Sequence, residues 1–216
     1  MINIFSHDYR VRIAKTDLDI SKVKLIDDLA FVGHRGITEE ELCQVREHGV
    51  LLVLYHLNTG YVVGEAQLLF KEIPEIPHCF EPPVGYCYGV AVRPSFQKHG
   101  LGKVLMESVW NISVEHGVKE IHLSVRVENY SSLKLMFGQG YEIFDYREDF
   151  YGPNKVEGPR LMMRKIQGKQ GEGPNLELFV PVPFDTFNEN AHIMIAENIK
   201  NGHIGVGISC KGIHFA

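Results

Sequence analysis

No stretch of this 216-residue chain is apolar for long. The longest uninterrupted apolar run is Val50–Tyr55, whereas about 20 residues are needed to span a bilayer, so no membrane partner is expected. Positive charge is also short. Lys and Arg number 22 against 27 Asp and Glu, a formal net charge of −5. That balance disfavours nucleic acid as a partner, since such binding draws its affinity mostly from neutralised phosphates. Cysteine is sparse: Cys43, Cys79, Cys87 and Cys210 form no C-x-x-C pair and fit no zinc spacing, and the 11 histidines include no H-E-x-x-H. No metal is therefore expected, and free thiols in a reducing, cytoplasmic setting are. The first residues, Met-Ile-Asn-Ile-Phe-Ser-His-Asp, lack a basic segment followed by an apolar one, so no secretory signal is read there. What is present is an ordinary globular balance, 44% apolar and 23% charged, which excludes general disorder. The length suits one domain with a remainder, or two small ones.

Periodicity places the elements. Residues 9–14 alternate and predict a strand. Asp19 is expected to cap a helix carrying Val23, Ile26, Leu29 and Ala30, and Thr38 with Glu41 forms a capping box opening a second helix that Gly49 ends. Val50–Tyr55 and Tyr61–Phe70 predict a hairpin, and residues 71–85, rich in proline, a loop. Tyr86–Val92 predicts a strand, Arg93–His99 a polar loop, and Gly100 the start of a helix with Leu101, Val104, Leu105, Val109 and Ile112 on one face. Ile121–Val127 alternates as a strand; a short helix 131–138 and strands 141–147 and 160–166 follow. Beyond a Gly-rich linker at 167–175, residues 176–182 read as a strand, a Thr186–Glu189 capping box opens a helix, and 204–215 read as a strand. This 167–216 extension has too few apolar residues to fold alone and is expected to pack on the main domain or on a second subunit, which makes a homodimer one expected arrangement.

The chemically informative stretch is Val90-Ala-Val-Arg-Pro-Ser-Phe-Gln-Lys-His-Gly-Leu-Gly-Lys-Val-Leu105. A strand runs through a glycine-containing loop into a helix, so backbone N–H groups without helical partners point outward together and the helix dipole favours an anion there. Gly100 and Gly102 remove side chains that would block a phosphate, and Lys98, His99 and Lys103 can add donors or charge. The segment is not a Walker loop, because Val104 stands where Ser or Thr is required, and not a dinucleotide fingerprint, because Leu105 stands where Gly or Ala is required.

What remains, Gln97-x-x-Gly100-x-Gly102 after Val90-x-Val92, resembles the acetyl-CoA signature of the GNAT N-acetyltransferases. A second family motif follows: the strand Leu123-Ser-Val-Arg126, then Asn129-x-x-Ser132-x-x-Leu135-Met136, then Gly140-Tyr141. The resemblance implies a mixed α/β fold with a mixed sheet, the GNAT acyl-CoA N-acyltransferase fold, in a domain 1–166 followed by a β-α-β-like extension, 167–216. It implies acetyl-CoA as cosubstrate. Val90, Ala91 and Val92 would pair with the pantetheine arm like an added strand. Gln97, Lys98, His99, Gly100, Leu101, Gly102 and Lys103 would surround the pyrophosphate, and Asn129 and Ser132 would lie on the pantetheine side. Asn129 can equally be the N-cap of the following helix. The implied activity is acetyl transfer to a primary amine, either a small molecule or a peptide α-amine, by direct attack in a ternary complex. The alternative is a CoA-binding module with weak or no catalysis that acts through partner contacts.

The chain departs from the family where protons move. Ser124 stands where relatives that acetylate protein N-termini often carry a glutamate base, and Met136 where a tyrosine acid is frequent. The amine must be neutral to attack. At pH 7 that costs about 4.6 kcal/mol for a lysine but only about 1.4 kcal/mol for an α-amine, so a site without a strong base better suits the latter. A thiolate leaving group needs only weak acid help, and positioning plus a backbone N–H on the thioester oxygen could supply most of the acceleration. His122, on the same strand face as Ser124, and Glu65, beside Gly64, are the replacement bases considered; Tyr86, Tyr88 and Tyr130 are candidate donors to the thiolate. Tyr146–Pro153 ahead of Leu161–Met163 partly resembles the acceptor-side hairpin of N-terminal acetyltransferases, with Phe150-Tyr151 in place of a Tyr-Tyr pair.

Overall fold

Thr16 and Thr38 open the first two helices in the same way. Each hydroxyl accepts from the amide three residues on, and the acidic side chain there, Asp19 or Glu41, returns a bond to the threonine amide. The cap of the first helix is thus Thr16, not Asp19 as its position suggests. Asp19 sits inside the first turn, where its carboxylate also accepts from Lys15 N at 2.9 Å. It further receives Arg12 and the Tyr55 hydroxyl, at 3.0 Å each, tying β1 (Tyr9–Ile13), α1 (Asp17–Ala30) and β2 (Gly49–His56) together. Thr38→Ala should cost about 1 kcal/mol of stability, read as a lower urea midpoint with an unchanged slope.

The computed structural model describes residues 8–32, 36–71, 73, 83–151, 158–169, 175–184 and 186–216. Cys79, Pro74, Pro77 and Pro82, most of the glycine-rich linker and part of the segment after Tyr151 lie outside them. The chain divides into two units, Met1–Ile121 and His122–Ala216. Among the described residues no helix is long and apolar enough to cross a membrane.

In the first unit β1, β2, β3 (Tyr61–Leu69) and β4 (Gly85–Val92) pair in sequence order, all antiparallel. α1 and α2 (Glu39–His48) pack on this sheet, as does α3 (Leu101–Glu115). Strand alternation assigns the faces. A Cβ at Gly64 would stand 3.1 Å from Leu105 of α3, so Glu65 points to the other face, where α1 lies. Leu51, Leu52, Leu54, Leu68, Leu69 and Leu105 are fully buried.

β5 (Glu120–Val125) leads into the second unit, with α4 (Tyr130–Gly138), β6 (Glu142–Arg147), β7 (Arg160–Ile166), β8 (Asn175–Pro181), α5 (Glu189–Lys200), β9 (Gly205–Ser209) and β10 (Gly212–Phe215). The strand order there is β5-β7-β6-β9-β10-β8. Gly205 of β9 lies opposite Ile143 of β6, so close that a Cβ would meet that side chain at 2.8 Å. The architecture is therefore mixed α/β with an open, mostly antiparallel sheet, as expected.

Two details of the extension differ from the sequence reading. Residues 204–215 form a hairpin rather than one strand, turning at Cys210-Lys211, a pair that carries no standard turn signal. The helix there is capped by Asn188, which accepts from Ala191 N at 2.9 Å; the Thr186 hydroxyl instead donates to Pro183 O at 3.3 Å. The polar loop 93–99 contains a 3-10 turn, Pro94–Phe96.

Candidate functional site

The end of β4 and the loop after it form a chain of local constraints. Val90, Ala91 and Val92 lie opposite Ala66, Glu65 and Gly64 of β3. Val90 and Val92 are half-buried and Ala91 is buried. A bulge leaves Tyr88 without a partner in the register, between the Leu68–Cys87 and Gln67–Gly89 pairs. Beyond the strand, Arg93 N donates to Val63 O at 2.8 Å, and Gln97 Nε2 donates to Val92 O at 3.0 Å. Gln97 therefore ties the loop to the strand.

Lys98 and Gly100 both adopt left-handed backbone, at φ 64° and 77°. Two such reversals in three residues, followed directly by a helix, turn successive amides toward one side. Gly100 is the N-cap of α3. The amides of Lys98, His99, Gly100, Leu101 and Gly102 have no backbone acceptor among the described residues. The amide of Lys103 does not join them, since it donates to Gly100 O at 3.0 Å. The Lys103 ammonium is exposed and lies 3.7 Å from Glu107. A Cβ at Gly100 would meet nothing within 4 Å, so the space in front of the amides is open. Five unsatisfied donors at the positive end of a 15-residue helix fit a multiply charged phosphate ligand.

Glu65 is fully buried. Neither carboxyl oxygen makes a well-formed hydrogen bond among the described residues, and Gln67 Oε1 beside it is equally unmatched. Burial pushes Glu65 up to about 8; negative Asp27 of α1 adds to the rise, and nearby Gln67 offsets part of it. Glu65 thus holds its proton at neutral pH. The buried Cys87 thiol is likewise pushed up, by burial and by Glu65, which makes it a poor nucleophile.

In the second unit, Asn129 caps α4: its Oδ1 accepts from Ser132 N at 3.0 Å. The side chain is exposed, and its Nδ2 has no partner among the described residues. Met136 is buried in the core, and Ser124 and His122 are half-buried on β5. The His122 ring lies 4.7 Å from that of Phe144. The two units thus divide the candidate residues: Glu65, Val90–Val92 and Gln97–Lys103 are together in the first, and His122, Asn129 and Ser132 in the second.

A further cluster has no signal in the sequence. His192 of α5 bonds through Nε2 to Glu128 at 2.6 Å and through Nδ1 to the Tyr146 hydroxyl at 2.9 Å. Its members lie 46 and 64 positions apart, beyond the reach of any local pattern. Burial favours the neutral form of Glu128, but the His192 bond outweighs it and holds the carboxyl below its ordinary range. Burial, with Glu148 and Glu128, pushes Tyr146 up to about 12.

Comparison with known proteins was made against this geometry. The sequence model of the family described as "Acetyltransferase (GNAT) family" matches residues 23–141. A curated N-alpha-acetyltransferase of Sulfolobus acidocaldarius is 30% identical over 90 residues, 41% of this chain and 49% of that protein, so the chain spans about half the length of that curated relative. The crystal structure of the ribosomal-protein-S18-alanine N-acetyltransferase from Escherichia coli superposes with a TM-score of 0.60 at 19% identity, covering 78% of this chain and 99% of that one. An Arabidopsis thaliana protein in complex with the bisubstrate analogue CoA-Ac-MVNAL gives a TM-score of 0.59 at 16% identity, covering 73% and 98%. At these identities the two structures establish the fold.

Proposed function

The chain belongs to the GNAT acetyltransferase family, and from that premise we propose that it transfers an acetyl group from acetyl-CoA to a primary amine, with a peptide α-amine as the favoured acceptor. The observation that carries this reading is the set of five unpaired amides from Lys98 to Gly102 around a left-handed Gly100. They supply the pyrophosphate cradle, with the Lys103 ammonium adding charge. His99 sits beside them, its Nδ1 3.3 Å from Phe96 O. Gln97 serves the cofactor indirectly, by fixing the loop to Val92. The backbone of Val90, Ala91 and Val92 offers the strand edge for the pantetheine arm, and Asn129, with Ser132 satisfying its cap, presents an unused carboxamide donor on the same ligand's side.

Acetyl-CoA supplies an activated acyl group; the protein must orient the amine and accept its proton. Of the two candidate bases, half-buried His122 suits the role better than Glu65, whose carboxyl is sealed and already protonated at pH 7. A peptide α-amine is favoured on the cost of deprotonation, which is smaller for it than for a lysine. The peptide N-termini named for the relatives point the same way.

Residues 1–166 form the acetyltransferase domain on this reading, with 167–216 as its extension. The pairing of β9 with β6, and α5 lying against β6, support packing of the extension on its own chain. The absence of an open carboxylate base, with Met136 packed in the core, is the observation that favours the rival reading of a CoA-binding module without turnover. A panel of peptides and small amines with thiol detection separates the readings. Turnover with peptides bearing a free N-terminus, and none with N-terminally blocked ones, is expected. CoA affinity in calorimetry without turnover on any acceptor would establish the rival, and no CoA affinity would end both.

A further inference from the structure

The Glu128–His192–Tyr146 chain joins two parts of the second unit that the sequence keeps separate. Glu128 is acceptor-only when ionised, so His192 Nε2 carries the proton toward it, and Nδ1 then takes the hydrogen of the Tyr146 hydroxyl. His192 is 5% exposed. A histidine buried this deeply leaves a costly unmatched nitrogen if either partner is removed, so both bonds fix the rotation of α5. The Asn188 cap sets the same helix lengthwise, because His192 is one turn in and its amide donates to Asn188 O at 3.1 Å.

The anchored end, Glu128, belongs to the turn that precedes α4. That turn is tight: Asn129 N donates to Arg126 O at 3.1 Å, and Tyr130 N to Glu128 O at 2.9 Å. The extension grips it a second time, through Phe184, whose ring lies 5.0 Å from that of Tyr130. Asn129 sits between these two holds, exposed, with its Nδ2 donors unused. A free turn of this size would sample several shapes; one held at both flanks presents Asn129 in one orientation.

We infer that the C-terminal extension is a working part of the acetyl-donor site, with His192 as a positioning residue that holds the Glu128–Tyr130 turn, and hence Asn129, in the shape that receives CoA. This rests on the reading of Asn129 as a CoA-side residue. The charged and titratable groups around His192 are Glu128, Tyr146 and, one shell further, Arg126 and Glu148. The ionised Glu128 makes the bond charge-assisted and therefore one of the stronger ties available.

Two amide substitutions dissect the imidazole. In His192→Gln the side-chain nitrogen reaches the Nε2 position and keeps the donor to Glu128; in His192→Asn the shorter amide covers only the Nδ1 position and keeps the Tyr146 side. Calorimetric Kd for CoA, KM for acetyl-CoA, kcat and thermal midpoint are measured on the full-length chain for both, with Tyr146→Phe as a milder third variant. Loss of a hydrogen bond to a charged group predicts about a tenfold rise in CoA Kd and acetyl-CoA KM for His192→Asn, with kcat changed less than threefold. His192→Gln and Tyr146→Phe should stay within threefold of the parent in Kd. Equal affinity in all variants, or losses that follow the thermal midpoint alone whichever amide is present, overturns the inference. If His192→Asn does not fold, Glu128→Gln takes its place, with a Kd rise expected and an unchanged Kd decisive against. A parent protein with no CoA affinity overturns the functional reading itself, and the inference falls with it.

Discussion

Gly100→Glu should abolish measurable CoA binding, a loss of at least about 100-fold in affinity, while the protein stays folded. The reason for the first half is charge. Five amides and a helix dipole point at the space in front of Gly100, and a carboxylate grafted there occupies the anion position and repels a pyrophosphate across a few ångströms. The reason for the second half is the same field, which favours the new carboxylate as a local cap. Backbone strain is the competing effect: Gly100 has φ 77°, which costs a residue with a Cβ about 1–2 kcal/mol. Gly100→Ala separates the two, because its Cβ meets nothing within 4 Å and it carries strain without charge. Calorimetry should find the alanine variant within about tenfold of the parent and the glutamate variant silent. Equal affinity in all three would remove this loop from CoA binding.

Glu65→Gln should change how stability depends on pH. The carboxyl of Glu65 rises from an ordinary 4.5 to about 8 in the folded chain, chiefly through burial. Between those values the folded state holds a proton that the unfolded chain has released, so stability falls as pH rises and levels off above the folded value. Asp27, also raised by its burial, acts in the same direction. The glutamine variant cannot titrate at position 65. Its folding constant relative to the parent should therefore grow by about tenfold per pH unit between pH 5 and 8, read from urea titrations at four pH values. Parallel profiles for the two proteins would mean that Glu65 is ionised in the folded state. Loss of turnover in a well-folded Glu65→Gln would move the role of base from His122 to Glu65.

The strand-loop-helix of residues 90–105 was legible because each of its parts has a local cause: alternation in the strand, glycine at the reversal, a 3.6-residue period in the helix. Thr38 and Asn129 were legible as caps for the same reason. Where two capping residues stand close together, local pattern does not choose. Thr16 and Asp19 are three apart, and the choice fell to Arg12 and Tyr55, which draw the Asp19 carboxylate inward. Thr186 and Asn188 posed the same ambiguity, and the threonine hydroxyl found Pro183 O instead. The burial of Glu65 was out of reach because Val62–Leu69 of β3 is covered on both faces, and alternation has no exposed side to report. His192 was out of reach because its partners come from distant segments. The CoA-side positions therefore follow from the chain's local grammar, while the groups that tune them depend on tertiary neighbours.

Strand order in the second unit differs from chain order, and this bears on the sequence of events in folding. β9 and β10 are joined by the two residues Cys210 and Lys211, so their closure has a small entropic cost. β8 precedes both in the chain yet adds outside β10, at the margin of the sheet, with α5 spanning the connection. It must wait for a template that the later hairpin provides, and it closes the longer loop. Having a single strand neighbour, β8 is also the first to fray, and its amides belong to the fast-exchanging end of the unit. The connection that closes last, and loosens first, is the one that carries His192.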